Sequence, residues 1–335
     1  MLGVLIDVAV ALIPVLLFLS VLVFLDSYKL VKLRSILVSI GVGCLVAAGL
    51  YLLLELVPSV PSESLLYKRY GAPIVEETLK AGFLIYLIRS QKVGFMVDAA
   101  IQGFALGAGF ALFENIYYLQ ALHETSLLLW IVRGFGTAVM HGGTTAIVGI
   151  VSKNLADVKN SVSLLIFLPG LAVAFVVHSL FNYFILPPVI STVVILCSLP
   201  LLIAGAFARS EKVTRDWLGV GFDSDAELLR MVTTGGIAQT RVGQYLDSIQ
   251  NKFRGEVVAD MLCYLRLYLE LAIQAKGILL MRESGFTVEP DLKVHANFDE
   301  MTYLEKSIGK TGLLALSPFL RTSSRDLWQM HMLKR

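Results

Sequence analysis

The sequence predicts an all-α protein: a polytopic transmembrane helical bundle of about seven spans, followed by a C-terminal helical cytoplasmic domain. Three observations carry this expectation. The 335 residues are 56% apolar and 16% charged, with a mean hydropathy of +0.74, which soluble domains rarely show. Apolar runs follow one another up to about residue 208, and the remainder has ordinary soluble composition. The expected domains are therefore 1–208 and 209–335. Finally, the runs are long and continuous instead of ten-residue alternations, which favours helices over barrel strands.

A span needs about 20 mostly apolar residues. The first candidate, 4–24, lacks a preceding basic stretch and a small-residue cleavage site, so it reads as a retained helix and not a signal peptide. The second is 36–57. The third, 72–88, opens on "PIVEETLK". Pro73 suits a first helical turn, where its missing N–H is harmless, and the positive end of that helix would help keep a glutamate ionised. The fourth, 97–122, contains "GFALGAGF", whose small residues suit close helix packing. The fifth and sixth are 127–151 and 164–186. The seventh, 189–208, is interrupted by Pro200.

Beyond Glu211 the chain reads as soluble helices. In 255–282 the apolar residues Val258, Met261, Leu262, Leu265, Leu269, Ala272 and Ile273 follow amphipathic spacing. Asp260, Arg266, Glu270 and Lys276 argue against another span. A second helical stretch is expected near 301–316. "DSDAE" at 223–227 lacks the glycine and spacing of a calcium loop. The region holds no catalytic constellation and reads as a regulatory or oligomerising module, a route to homo-oligomers.

Basic residues in the loops set the orientation. One set of connections carries Lys29, Lys32, Arg34, Arg89, Lys92, Lys153, Lys159, Arg209, Lys212 and Arg215; the other carries only Lys68 and Arg69. This places the N-terminus outside and the C-terminal domain in the cytoplasm of a cell-membrane protein. A net charge of +2 gives no reason to expect nucleic acid as a partner. Cys44, Cys197 and Cys263 lie far apart in sequence, which argues against a disulfide framework or a cysteine zinc site.

Ionisable groups at membrane depth cost at least about 2.5–3.5 kcal/mol each and are functional candidates. Here they recur in i, i+4 pairs, which share a helix face. Glu76 precedes Lys80, Glu114 precedes Tyr118, His141 precedes Thr145 and His178 precedes Asn182. At 1.5 Å per residue, Glu77 lies about 8 Å, Glu114 and His178 about 12 Å, and His141 about 20 Å below the outer boundary. One chamber in the outer half of the membrane would hold them all. Glutamate, histidine and an amide donor suit hydrolysis: a carboxylate takes a proton from water, a histidine shuttles one, and Asn or His meets an oxyanion. No G-x-S-x-G elbow is present. His141, His178 and Glu77 are the expected ligands if a metal such as zinc is used, although no H-E-x-x-H occurs and none is required on the leading reading.

As an ordered set, "EETLK", "FENIYY", "HGGTTAIVG" and "HSLFN" resemble the signature motifs of PrsW-type intramembrane proteases, within the superfamily that includes CAAX-processing proteases. The resemblance covers about residues 73–183. It implies a helical-bundle endopeptidase acting on a membrane-embedded or membrane-adjacent peptide bond of a single-span protein, such as an anti-sigma factor. It also implies catalytic roles for Glu76, Glu77, Lys80, Glu114, Tyr118, His141, His178 and Asn182. Glu114 and Tyr118 depart from the CAAX branch, which has a histidine in its second motif. The competing reading is a proton-coupled transporter or channel in which the Glu/His set is a relay; no inverted repeat or paired broken helices favour it. A scaffold for single-span proteins would not need the polar set.

The orientation is testable. A cysteine near Lys68 is expected to react with an impermeant reagent from outside, and one near Lys153 only after permeabilisation; the opposite pattern would invert the topology.

Overall fold

A computed structural model of the chain describes residues 2–57, 64–121, 126–183, 185–236, 241–250, 252–286, 288–291, 293–320 and 323–334. Their regular structure is helical throughout, with no strand among the described residues. The described chain divides into two compact units, Met1–Ser210 and Glu211–Arg335.

In the first unit, α1 (Leu2–Phe24) and α2 (Leu33–Leu56) precede a π-helical segment (Tyr67–Gly71) that runs directly into α3 (Ala72–Arg89). Next come α4 (Met96–Ala121), the short α5 (Leu127–Ile131), a second π-helical segment (Val132–Thr137), α6 (Ala138–Lys159), a 3₁₀ turn (Leu164–Phe167) and α7 (Leu168–Tyr183). Helix α8 (Pro188–Thr233) contains the boundary between the units. Six stretches are long and apolar enough to cross a membrane: Leu5–Phe24, Leu33–Leu56, Met96–Ala121, Leu127–Lys159, Leu164–Tyr183 and Pro188–Thr233. The chain is thus a multi-pass helical membrane protein. The third expected span, α3, is a helix of the same unit, but it carries Glu76, Glu77 and Lys80 within 18 residues and is not among the six. Leu122, the expected end of the fourth span, and Phe184, inside the expected sixth, lie outside the described residues.

Helix α4 is the axis of this unit. Every residue from Met96 to Ala111 is buried, and the helix packs most extensively on α6 and α2. The glycines make this possible. A Cβ on Gly107 would lie 2.1 Å from the His141 carbonyl oxygen of α6, and one on Gly109 would lie 2.0 Å from the Ile40 carbonyl oxygen of α2. Only a bare backbone allows helices to approach so closely. By contrast, α1, α2, α7 and α8 expose leucine, isoleucine and valine along their outer faces, as lipid-facing helices do.

Two expectations are corrected. Pro200 does not interrupt the last span, since α8 runs through it for 46 residues. A proline removes one intrahelical bond, and an apolar helix retained by its surroundings tolerates that loss. Lys153 is not a loop residue. Helix α6 continues two turns past Val151, and the fully buried Lys153 ammonium meets Asp157 Oδ1 at 2.7 Å. The inward reporter for the labelling experiment therefore belongs at Asn160, the exposed residue that ends α6 at φ 44°.

The second unit comprises the rest of α8 with α9 (Arg241–Gln250), α10 (Gly255–Glu283), α11 (Lys293–Leu316) and α12 (Ser324–Leu333). Helix α10 is its centre and packs against α11 and α12. Met261, Leu265, Leu269 and Ala272 of the expected apolar face are buried, and Tyr264, Tyr268, Leu271 and Leu279 widen that face. Lys276 is also buried there, paired with Asp225 and facing the Trp217 ring. Gly309, at φ 63°, kinks α11, and Ser323 with Asp326 forms a capping box for α12.

The close approach of α4 and α6 yields a stability prediction. Gly107→Ala forces its methyl group against a carbonyl and is expected to destabilise the protein by about 1–3 kcal/mol, the usual range for overpacking. Gly205→Ala, with no atom within 4 Å of the added methyl, is expected to be neutral. Thermal unfolding in detergent measures both.

Candidate active site

The site begins with how α3 starts. The helix has no open N-terminus near the glutamates, because the π-helical segment feeds straight into it and the Ala72 N–H bonds to the Tyr67 carbonyl, five residues back. Pro73 stands in the first turn of α3, as expected, although that turn is not an open helix end. Its ring would clash with the carbonyl four residues earlier in a regular helix, and the wider π turn just before it accommodates that conflict. No helix end lies beside Glu76 and Glu77, so their charges are balanced by side chains.

Adjacent helical residues point about 100° apart, and the two glutamates accordingly face different surroundings. The Glu77 side chain is fully buried, whereas that of Glu76 is 13% exposed and lines a cavity. Glu77 Oε1 accepts from Lys80 Nζ at 2.7 Å and from Thr144 Oγ1 at 3.2 Å, and lies 2.8 Å from His178 Nδ1. The lysine thus pairs with Glu77 at i, i+3, not with Glu76 at i, i+4. Lys80 Nζ also lies 3.2 Å from His141 Nδ1.

Glu114 on α4 serves the second histidine. Its Oε2 lies 3.2 Å from His141 Nε2 and 3.5 Å from Arg133 Nη2, and its Oε1 accepts from the Tyr51 hydroxyl at 3.2 Å. The two imidazoles meet edge to face, with ring centres 4.8 Å apart. Each has one nitrogen against a carboxylate and turns the other toward Glu76. His141 Nδ1 is 4.0 Å and His178 Nε2 is 3.9 Å from Glu76 Oε2. That oxygen is buried and makes no hydrogen bond.

The cavity beside this cluster has a volume of about 600 Å³. Glu55 of α2, Ala121 of α4 and Asn182 of α7 lie on its wall, as do Glu76, Glu114, Tyr118, His141 and His178. Each of the four expected polar stripes thus contributes to one cavity, although Lys80 and Thr145 are not on its wall. Asn182 sits on its rim, where its Nδ2 donates to the Lys68 carbonyl at 3.0 Å. Beside it the Arg69 guanidinium lies over the Tyr183 ring. This amide ties α7 to the π-helical segment and does not reach the Glu/His cluster through any observed bond. On the same segment, burial and then the Glu76 charge push the Tyr67 phenol above its ordinary range.

Glu76, His141 and His178 offer one ligand atom each within 4.8 Å of one another. A buried carboxylate oxygen without a hydrogen bond, facing two imidazole nitrogens whose opposite nitrogens rest on carboxylates, fits a divalent cation. The third member is Glu76 instead of the expected Glu77, whose Oε1 is already taken by Lys80, His178 and Thr144. Sequence reasoning also missed Tyr51, Thr144 and Asn115. Asn115 Oδ1 accepts from Arg133 Nε at 3.0 Å, while its Nδ2 donates to the Ala11 carbonyl at 2.8 Å. Asn115 and Thr144 stand beside recognised residues, in "FENIYY" and "HGGTTAIVG". Tyr51 carries no local signal.

Comparison with known proteins agrees with this geometry. Residues 32–205 match the family model described as PrsW family intramembrane metalloprotease. No curated protein and no solved structure gives a significant match.

The unequal burial of the glutamates separates their effects on stability. Glu77→Gln strands a buried lysine and is expected to lower stability by about 3–5 kcal/mol, the range for breaking a buried pair. Glu76→Gln, which removes no hydrogen bond at Oε2, is expected to leave the melting temperature in detergent within a few degrees of wild type. Equal losses in the two variants would contradict the division described above.

Proposed function

The chain belongs to the PrsW family of intramembrane proteases, and from that premise we propose that it is a metal-assisted endopeptidase cutting a peptide bond within or beside the membrane. The observation that carries the proposal is the buried Glu76 Oε2, which makes no hydrogen bond and faces His141 Nδ1 and His178 Nε2. Charge supports it. Around the cluster stand three carboxylates, Glu76, Glu77 and Glu114, against two basic side chains, Lys80 and Arg133. A divalent cation such as zinc would offset the excess at a depth where uncompensated charge is costly.

Glu76, His141 and His178 would hold the ion, and when bound it would polarise the scissile carbonyl and bring a bound water's pKa near 7. The chain's own groups do the rest. Glu114 Oε2 and Glu77 Oε1 fix the two imidazoles in tautomer and orientation. Lys80 and Thr144 hold the Glu77 carboxylate in place, and Tyr51 holds Glu114. Glu76, on the cavity wall, accepts the water's proton at its second oxygen and returns it to the leaving nitrogen. Tyr118 and Asn182 line the space that the substrate chain occupies. The substrate we propose is a single-span membrane protein, such as an anti-sigma factor, entering from the outer face. In this reading residues 1–208 form the protease domain, and 209–335 a cytoplasmic module for regulation or self-association.

One observation favours a metal-free variant of the same reaction. Lys80 Nζ stands 3.2 Å from His141 Nδ1, in the direction that an ion would need. In that variant Glu76 alone activates the water and the histidines shuttle its proton.

The deciding experiment combines cleavage with metal analysis. Native membranes with wild type or Glu76→Gln, compared by proteomics, are expected to differ in the processing of a single-span protein. Glu76→Gln, His141→Ala and His178→Ala are each expected to reduce cleavage by ~10²–10⁴-fold. Full activity in Glu76→Gln would sink the reading. Purified wild type is expected to bind about one zinc per chain with measurable affinity, and His141→Ala to lose it. Glu114→Gln is expected to weaken zinc binding by about 10–100-fold, as loss of an outer-shell partner does. Undiminished cleavage through strong chelation would select the metal-free variant.

A further inference from the structure

Arg133 carries more than an ion pair requires. It sits in the π-helical segment Val132–Thr137, and that segment is clamped on both sides. A Cβ on Gly134 would lie 1.9 Å from the Val10 carbonyl oxygen of α1, and one on Gly136 would lie 2.4 Å from Thr192 Oγ1 of α8. The arginine head is held as firmly. Its Nε donates to Asn115 Oδ1 at 3.0 Å, Asn115 is anchored on the Ala11 carbonyl, and the guanidinium lies 4.0 Å above the Tyr118 ring. Yet Nη2 is buried and makes no hydrogen bond. Its nearest acid, Glu114 Oε2 at 3.5 Å, lies closer to His141, and Glu114 Oε1 is taken by Tyr51. Arginine–carboxylate pairs frequently form a bidentate fork, but Arg133 reaches Glu114 only through Nη2 at ion-pair distance. Arg133 also lines the cavity that holds Glu76, His141 and His178.

We infer that Arg133 is a catalytic residue whose guanidinium N–H donates to the scissile carbonyl oxygen and stabilises the oxyanion, an assignment that rests on the proteolytic reading above. As the water oxygen bonds to the carbonyl carbon, its proton passes to Glu76 and the carbonyl π electrons move onto oxygen. That oxygen becomes the anion that Arg133 meets. On collapse the C–N bond breaks, the carbonyl re-forms and the proton held by Glu76 goes to the departing nitrogen. A donor fixed before the reaction needs no reorganisation when the charge appears, and one such donor contributes about 10²–10³ in rate. The π turn, the two glycines and Asn115 supply that fixity.

The test uses the full chain in liposomes with a library of synthetic single-span peptides of varied juxtamembrane sequence, with products read by mass spectrometry. Kinetics are measured on the peptide that wild type cuts fastest. Arg133→Ala and Arg133→Lys are expected to lose about 10²–10³-fold in kcat, with KM changed by no more than a few-fold. Added methylguanidine is expected to restore part of the rate to Arg133→Ala, which it would not do for a misfolded protein. If Arg133→Ala fails to fold, Arg133→Lys, which keeps the charge and loses the planar fork, decides alone. Wild-type kcat in the folded variants would overturn the assignment, as would a loss confined to KM, which would make Arg133 an anchor for a substrate carboxylate. Absence of cleavage by wild type on every peptide would instead overturn the proteolytic reading, and Arg133's role with it.

Discussion

Glu77 Oε1 takes Lys80 Nζ, His178 Nδ1 and Thr144 Oγ1 at once, from α3, α7 and α6. A carboxylate at membrane depth cannot stand alone, since the loss of water around it would cost several kcal/mol. Three convergent donors replace that water. The rest of the site depends on this satisfaction, because it fixes the His178 ring, holds Lys80 within reach of His141 and leaves Glu76 to face the cavity. Glu114 repeats the arrangement with Tyr51, His141 and Arg133. Each imidazole is thus positioned by a carboxylate oxygen, Glu77 Oε1 or Glu114 Oε2, and both turn their other nitrogen toward Glu76 Oε2.

Such convergence needs helices closer together than ordinary side chains permit. Gly107 brings the α4 backbone against the His141 carbonyl, and Gly109 brings it against α2. The glycine-rich stretch of α4 is therefore part of the chemistry, in that it sets the distance from which Glu114 reaches His141. The two π-helical segments act in a related way. One leads directly into α3, which carries Glu76 and Glu77; the other carries Arg133, which lines the cavity. Wide turns of this kind are rare and cluster at functional sites, and here both border the same chamber.

Much was legible in the sequence, and for identifiable reasons. Apolar runs of span length must be helical in lipid, since no other open structure satisfies its backbone there, so the architecture could be read without coordinates. Charged and imidazole side chains at that depth are too costly to be incidental, which singled out Glu76, Glu77, Glu114, His141 and His178. Their i, i+4 spacings implied faces that converge, and the chamber lined by Glu76 of α3, Glu114 of α4, His141 of α6 and His178 of α7 is that convergence.

What spacing could not supply was the partner of each group. Adjacent glutamates look equivalent in a sequence; their different burial, and hence which of them faces the histidines, was decided by where α6 and α7 pack. Lys80 stands within one turn of both, and only the positions of Thr144 and His178 determined that it joins Glu77. Pro73 read correctly as a helix start, but the π turn that precedes α3 was not legible; Pro200 read as a break because local rules price a missing N–H without knowing the neighbours, and α8 runs through it. Tyr51, Asn115 and the buried, unbonded Nη2 of Arg133 became visible only once α1, α2 and α4 were assembled. The sequence by itself determined a helical membrane protein and the residue types of its buried polar cluster, because periodicity and desolvation are local properties. The tertiary structure alone decided which glutamate faces the cavity and which is buried against Lys80, His178 and Thr144, because that depends on contacts between residues as far apart as Glu77 and His178.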